Sequence, residues 1–185
     1  MTSSGVPDHV PRTPPLWLRR AEAADEPFIG ALFKTAKAEQ FAGAGLPQAV
    51  LDALLDQQFR AQTSGYAAQF PAASSLIILE RDHAVGRLVL NCEAGCWHVI
   101  DILLLPSVRG RGVGTDVIQM VASAASRDAV RRLTLIVLAS NAAARRLYAR
   151  LGFVETGSAA GATHITMQKD LVNCCGAAGV DDWSI

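Results

Sequence analysis

The chain has 185 residues, half of them apolar, and its 17 Lys and Arg residues balance 17 Asp and Glu residues. Length and apolar content predict one domain that buries roughly two-thirds of its unfolded surface. Zero formal net charge argues against the basic footprint of a nucleic-acid binder. No apolar stretch approaches the roughly 20 residues that span a bilayer. Neither a nucleic-acid nor a membrane partner is expected.

Residues 1–15 are rich in Ser and Pro and carry Asp8. They lack a basic segment followed by an apolar one, so they read as a disordered lead-in and not as a secretory signal. Leu16–Arg20 is a short strand candidate. Asp25 offers a helix N-cap with Pro27 in the first turn, and Phe28, Ile29, Leu32, Phe33 and Ala36 follow at helical spacing. The segment Phe41–Pro47 breaks that helix. Val50, Leu51, Leu54, Leu55, Gln58 and Phe59 mark a second one, with Thr63-Ser-Gly65 and Phe70-Pro71 as loop punctuation. Ser75–Glu80 and Ala84–Glu93 form a hairpin around Arg81-Asp-His83. Ala94-Gly95 turns the chain into Cys96–Leu105, a third antiparallel strand.

A glycine-rich turn follows, and then a helix beginning near Thr115, with Val113, Val117, Ile118, Val121 and Ala125 marking one face. Leu133–Leu138 is a buried strand. Asn141 opens a helix lined by Leu147, Tyr148 and Leu151, and Gly152 stops it. Phe153–Thr156 and His164–Gln168 are a last strand pair, and a loose tail occupies 171–185. The order is β-α-α-β-β-β-α-β-α-β-β, a mixed α/β fold on one central sheet over residues 16–170. The cysteines Cys92, Cys96, Cys174 and Cys175 match no zinc spacing and read as buried or incidental thiols of a cytosolic protein. His9, His83 and His164 lack partners that would make a metal site, and no metal is expected.

The glycine turn, Arg109-Gly-Arg-Gly-Val-Gly114, carries the chemistry. A strand, a glycine turn and a helix N-terminus aim free backbone N–H groups and a helix dipole at one point, which is an anion site. A nucleotide P-loop would need Gly-Lys-Ser/Thr, which is absent. A dinucleotide fingerprint would need a third glycine at position 115, which is Thr115. The pattern Arg/Gln-x-x-Gly-x-Gly/Ala is met by Arg109, Gly112 and Gly114.

With Ile102-Leu-Leu-Leu-Pro-Ser-Val ahead of that turn, Val137-Leu-Ala-Ser-Asn141 after the next helix, and Ala144-Arg-Arg-Leu-Tyr-Ala-Arg-Leu-Gly-Phe153 beyond, the chain resembles the GNAT superfamily of N-acetyltransferases. The match is tightest over 96–157. The resemblance implies a single GNAT-like domain, a mostly antiparallel sheet that splays open, and acetyl-CoA as cosubstrate. It implies that Arg109, Gly110, Arg111, Gly112, Val113, Gly114 and Thr115 hold the pyrophosphate. Backbone groups of Ile102, Leu103 and Leu104 would pair with the pantetheine arm as an added strand would. An N–H near Leu104 would polarise the thioester carbonyl. Asn141 would orient the cofactor arm, and Tyr148 would bind the sulfur as general acid. Arg145, Arg146 and Arg150 read as a charged outer helix face.

Attack needs a neutral amine. A lysine-like amine of pKa 10.4 lies about 3.4 units from neutrality at pH 7, which costs about 4.6 kcal/mol, so a general base is useful. His98 is the leading candidate, at the place where arylalkylamine acetyltransferases carry a functional histidine; Glu93 is a further one. Asp101 has opposite strand parity to His98, which predicts that the two face different sides of the sheet. The acceptor is expected to be a small-molecule amine or a peptide amine, met by residues among Phe41–Pro47, Gln57, Arg60, Tyr66 and Phe70. The expected activity is acetyl transfer by direct attack in a ternary complex, in the cytoplasm. The alternatives are another acyl-CoA donor, a hydroxyl acceptor, or a non-catalytic acyl-CoA sensor. A homodimer is left open.

Overall fold

A computed structural model describes residues 15–38, 41, 43–157 and 163–171. Residues 1–14 and 172–185 take in nearly all of the expected lead-in and tail. They lie outside the described residues, as do His9, Cys174 and Cys175. The elements are β1 (Leu16–Arg20), α1 (Glu26–Ala38), α2 (Gln48–Gln69), β2 (Ser74–Glu80), β3 (His83–Glu93), β4 (Cys96–Leu104), α3 (Val113–Arg127), β5 (Arg132–Leu138), α4 (Ala142–Arg150), β6 (Val154–Gly157) and β7 (His164–Asp170). The order is the one read from the sequence. A seven-stranded sheet runs β1-β2-β3-β4-β5-β7-β6. Its pairs are antiparallel except β4 with β5.

Three local expectations change. Asp25 does not cap α1 from in front; it closes a short 3₁₀ turn, Ala23–Asp25. Its carboxylate takes two bonds from the Arg19 guanidinium, at 2.6 and 2.7 Å, and one from the Glu22 N–H at 2.8 Å. Thr63-Ser-Gly65 is not a loop but lies inside the 22-residue α2. An interior Gly costs about 1 kcal/mol against Ala. Burial of Leu55 under α2 and a Gln62–Tyr66 bond of 2.9 Å across one turn offset that cost. Helix α3 begins at Val113, two residues earlier than expected, because Gly112 takes a left-handed φ of 95° as its N-cap.

Strand β4 holds a bulge that the sequence does not announce. Leu90 pairs with Val99 and Val89 with Asp101, so Ile100 is the extra residue. A bulge inserts one residue and resets the alternation of side chains. His98 lies opposite Asn91, and Asp101 lies opposite Val89. Asn91 and Val89 are two apart on β3 and share a face, so His98 and Asp101 share it as well. The parity expectation that separated them is wrong for this reason.

The two faces are covered differently. Leu88, Leu90, Trp97 and Val99 join Val117, Ile118 and Val121 of α3 in the principal core. The other face, with Arg87, Asn91, His98 and Asp101, lies toward α1 and α2; α1 packs on both β3 and β4.

Candidate active site

The site begins where two strands part. β4 and β5 pair in parallel only from Cys96 with Arg132 to Val99 with Leu135. Beyond that point the two strands have no ladder. β4 stays bonded to β3, and the Leu105 N–H donates to the Val85 carbonyl at 2.9 Å. Alternation along the strand therefore turns the Leu104 N–H and carbonyl toward the open side. Gly86 makes this packing tight: a Cβ there would lie 2.6 Å from both the Leu103 carbonyl oxygen and Leu104 Cδ2.

A cavity of about 450 Å³ occupies the opening. Ala36 and Lys37 of α1, Ile102–Leu104 of β4, Gly114 and Ile118 of α3, and Asn141 and Tyr148 at α4 all line it, together with Arg109. Gly110 and Gly112 have φ values of 73° and 95°, left-handed conformations that glycine adopts without strain. A Cβ at either would meet nothing within 4 Å, so conformation and not crowding calls for glycine there. The first intrahelical bond of α3 runs from the Asp116 N–H to the Gly112 carbonyl. The N–H groups of Val113, Gly114 and Thr115 thus precede the helical ladder.

The arginines of the turn have separate tasks. Arg109 Nε donates to the Leu104 carbonyl at 3.1 Å, tying the turn to the open strand edge. Arg111 turns away and pairs with Glu80 at 2.9 Å. Arg145 is engaged by Glu155 at 2.7 Å and by the Ala139 carbonyl at 3.3 Å, while Arg146 and Arg150 are exposed. Asn141 Oδ1 accepts the Ala144 N–H at 3.1 Å; it caps α4 and lines the cavity at once. Tyr148 is 7% exposed and packs on Phe153 with ring centroids 5.8 Å apart. Burial, and secondarily the charge of Asp101, push its phenol up to about 12. The hydroxyl therefore keeps its proton at neutral pH.

His98 stands on the face that looks toward α1 and α2. Its Nδ1 is 2.8 Å from Thr134 Oγ1, and its ring stacks on Phe70 at 5.4 Å. Thr134 Oγ1 lies 3.4 Å from the Trp97 carbonyl, an acceptor that takes the hydroxyl proton. With the hydroxyl proton donated to that carbonyl, the hydroxyl oxygen would accept Nδ1–H and Nε2 would carry the lone pair. Burial lowers the His98 pKa from its ordinary value, and the charge of Glu93 opposes that in part. Glu93 itself is at the exposed strand end, bonded to Asn91 Nδ2 at 2.7 Å. Asp101 is half-buried. Burial raises its pKa, against the opposing charges of Arg87 and Lys37 and a bond from the Ile102 N–H.

The sequence reading omitted Lys37, Arg87 and Thr134, and set Asp101 aside. Arg87 carried a signal: it interrupts the apolar run from Val85 to Leu90. Of the acceptor-side residues, Tyr66 and Phe70 do reach the sheet face beside His98 and Asp101, whereas Leu46, Gln57 and Arg60 are exposed. Among the described residues no group of three or more His, Cys, Asp or Glu is arranged to hold a metal. No helix there is long and apolar enough to cross a membrane.

A splayed parallel pair beside a glycine turn and a helix N-terminus is the arrangement that the sequence resemblance implies for a coenzyme A-dependent acyltransferase. The chain belongs to the acetyltransferase (GNAT) family, whose model matches residues 46–153. No curated protein sequence matches it significantly. Solved structures share the fold. The PaiA N-acetyltransferase of Thermoplasma acidophilum, crystallised with coenzyme A, superposes with a TM-score of 0.65 at 12% identity, over 84% of this chain and 99% of its own. The ribosomal-protein-S18-alanine N-acetyltransferase of Escherichia coli gives 0.59 at 17% identity, over 91% and 99%. A spermidine N-acetyltransferase chimera from Vibrio cholerae and a human enzyme gives 0.58 at 20% identity, over 84% and 95%. Family membership makes the chain an acyltransferase that draws on a coenzyme A thioester.

Proposed function

We propose that this protein is an acetyl-CoA-dependent N-acetyltransferase that acetylates a primary amine by direct attack in a ternary complex. One observation carries the reading: the gap between β4 and β5 opens onto a cavity lined both by Arg109 and Gly114 of the glycine turn and by the buried Tyr148. The residues fit the cosubstrate. Unladdered N–H groups of Val113, Gly114 and Thr115 suit a pyrophosphate. The free edge at Ile102–Leu104 suits an amide-bearing arm, and Asn141 borders the same cavity. When bound, acetyl-CoA supplies an activated acyl carbon and a thiolate leaving group.

The chain's residues then divide the work. His98 Nε2 removes one proton from the acceptor ammonium, and the neutral nitrogen bonds to the acyl carbon. The Leu104 N–H faces negative charge growing on the carbonyl oxygen. Tyr148 gives its proton to the sulfur as the C–S bond breaks. The second proton leaving the nitrogen restores the phenol. The relatives of similar fold act on a ribosomal-protein alanine and on spermidine, both amines, which supports an amine here. A pure acyl-CoA sensor needs no proton donor at the sulfur, so the buried, protonated Tyr148 favours catalysis. The test is thiol release from acetyl-CoA across a panel of amines, with the amide identified by mass spectrometry. Amide formation is expected. Acetyl-CoA binding with no product from any amine would refute the reading.

A further inference from the structure

The sheet face beneath α2 holds more unspent polar groups than acetyl transfer uses. Arg87 rises from the middle of β3 and is only 9% exposed. Its Nε donates to Ser75 Oγ at 2.9 Å, which orients the guanidinium. Among the described residues Arg87 forms no ion pair, so the two terminal nitrogens keep their fork of donors. Asp101 lies diagonally across the ladder, because Arg87 pairs with Leu103 and Val89 with Asp101. Such diagonal neighbours are about 7–8 Å apart at the backbone. The two side chains feel each other's charge without closing into an ion pair. Tyr66 of α2 senses both charges.

Two acceptors on the same side also lack donors. Gln62 Oε1 and Asn91 Oδ1 are buried and without a hydrogen bond. Asn91 is 3% exposed, and its amide cannot be turned over without losing the 2.7 Å bond from Nδ2 to Glu93. A buried polar atom without a partner is uncommon in native interiors. Here a cationic fork without an ion pair and a carboxylate stand diagonally across one ladder, and the buried Asn91 oxygen lies on the same sheet face.

We propose that the acceptor is a small molecule of α-amino acid type, whose carboxylate is held by the Arg87 fork and whose ammonium is received by Asp101. Arg matches a carboxylate with two parallel N–H bonds. The ammonium brings a further donor for the Asn91 oxygen. A carboxylate and an ammonium on one carbon suit a diagonal of that length once the reach of both side chains is counted. A polyamine or a protein N-terminus would bring no carboxylate to Arg87 and would leave its charge buried and unmatched. The inference rests on the N-acetyltransferase reading.

The test compares the standard amino acids with their amides and their decarboxylated amines. Each is followed by thiol release, and by calorimetry on protein loaded with coenzyme A. For at least one side chain, the free amino acid is expected to exceed its amide at least tenfold in kcat/KM and in affinity. Arg87→Gln is expected to abolish that preference and Arg87→Lys to retain part of it. Asp101→Asn is expected to weaken every amine while acetyl-CoA affinity is unchanged, which also reports an intact fold. Amides that match or beat the free acids overturn the inference while leaving acetyl transfer standing, as does a preference untouched by Arg87→Gln. Discriminating binding without turnover would refute acetyl transfer and, with it, the assignment of the amino acid as acceptor. Absence of both binding and turnover overturns the two together.

Discussion

The two sides of the site are built from different materials. The donor side, from Leu104 through the glycine turn to α3, is mostly backbone: left-handed glycines, N–H groups ahead of a helical ladder, and a strand edge left open. The proposed acceptor side is side chains: Arg87, Asp101, His98 and Tyr66, carried by three separate elements, with the bulge putting His98 on the face of Asp101. Backbone recognition tolerates variation in side chains and depends on a few torsions. Side-chain recognition depends on convergence and can change with each substitution. One scaffold can thus keep one donor while its acceptor side diverges.

Substitutions can break that division. The largest effect is expected from Tyr148→Phe, which keeps the ring packed on Phe153 and removes the proton donor. kcat is expected to fall about 10²–10⁴-fold, with calorimetric acetyl-CoA affinity within a few-fold of wild type. Undiminished turnover would remove Tyr148 from the chemistry. Gly86→Ala comes next. Its Cβ would meet the Leu103 carbonyl and Leu104 at 2.6 Å, and overpacking of this kind costs about 1–3 kcal/mol. Chemical denaturation is expected to show that loss, and the displaced β4 edge to raise the KM for acetyl-CoA.

His98→Ala probes the acceptor side through pH. Burial lowers the His98 pKa, so the free base persists to below the ordinary 6.5. Glu93, Asp101 and Lys37 are the charged neighbours that bear on this side. The acidic limb of kcat/KM is expected to inflect below 6.5 in the wild type and to vanish in the variant. The sign for stability agrees: a depressed histidine pKa stabilises the fold above 6.5, and that contribution fades as pH falls through the folded value. An unchanged acidic limb would assign the proton to another group. The smallest effect is expected from Arg111→Ala. The Glu80 pair engages this exposed side chain, so acetyl-CoA affinity should shift by less than about tenfold, under 1.4 kcal/mol.

The same contrast explains what the sequence revealed. Gly110 and Gly112 lie two residues apart, and their torsional demand is written locally, so the glycine turn was legible. The element order and the antiparallel run β2-β3-β4 were legible too, because short turns such as Ala94-Gly95 enforce hairpins. The Ile100 bulge was not, since nothing local marks it: it arises where β3 and β4 settle their mutual register. With the bulge hidden, strict alternation separated Asp101 from His98, and the acceptor wall could not be assembled. Gly65 misled in the other direction, because tertiary packing of α2 outweighed the weak preference of one residue.

The most direct measurement is calorimetric titration of acetyl-CoA, ATP and NAD onto the wild type and Gly112→Val. A β-branched residue cannot adopt a φ of 95° without strain of about 1–3 kcal/mol. Acetyl-CoA alone is expected to bind the wild type, and the variant to weaken it by about 10–100-fold while remaining folded. Comparable binding of ATP or NAD, or acetyl-CoA affinity indifferent to Gly112→Val, would contradict a donor site built on the backbone of this turn.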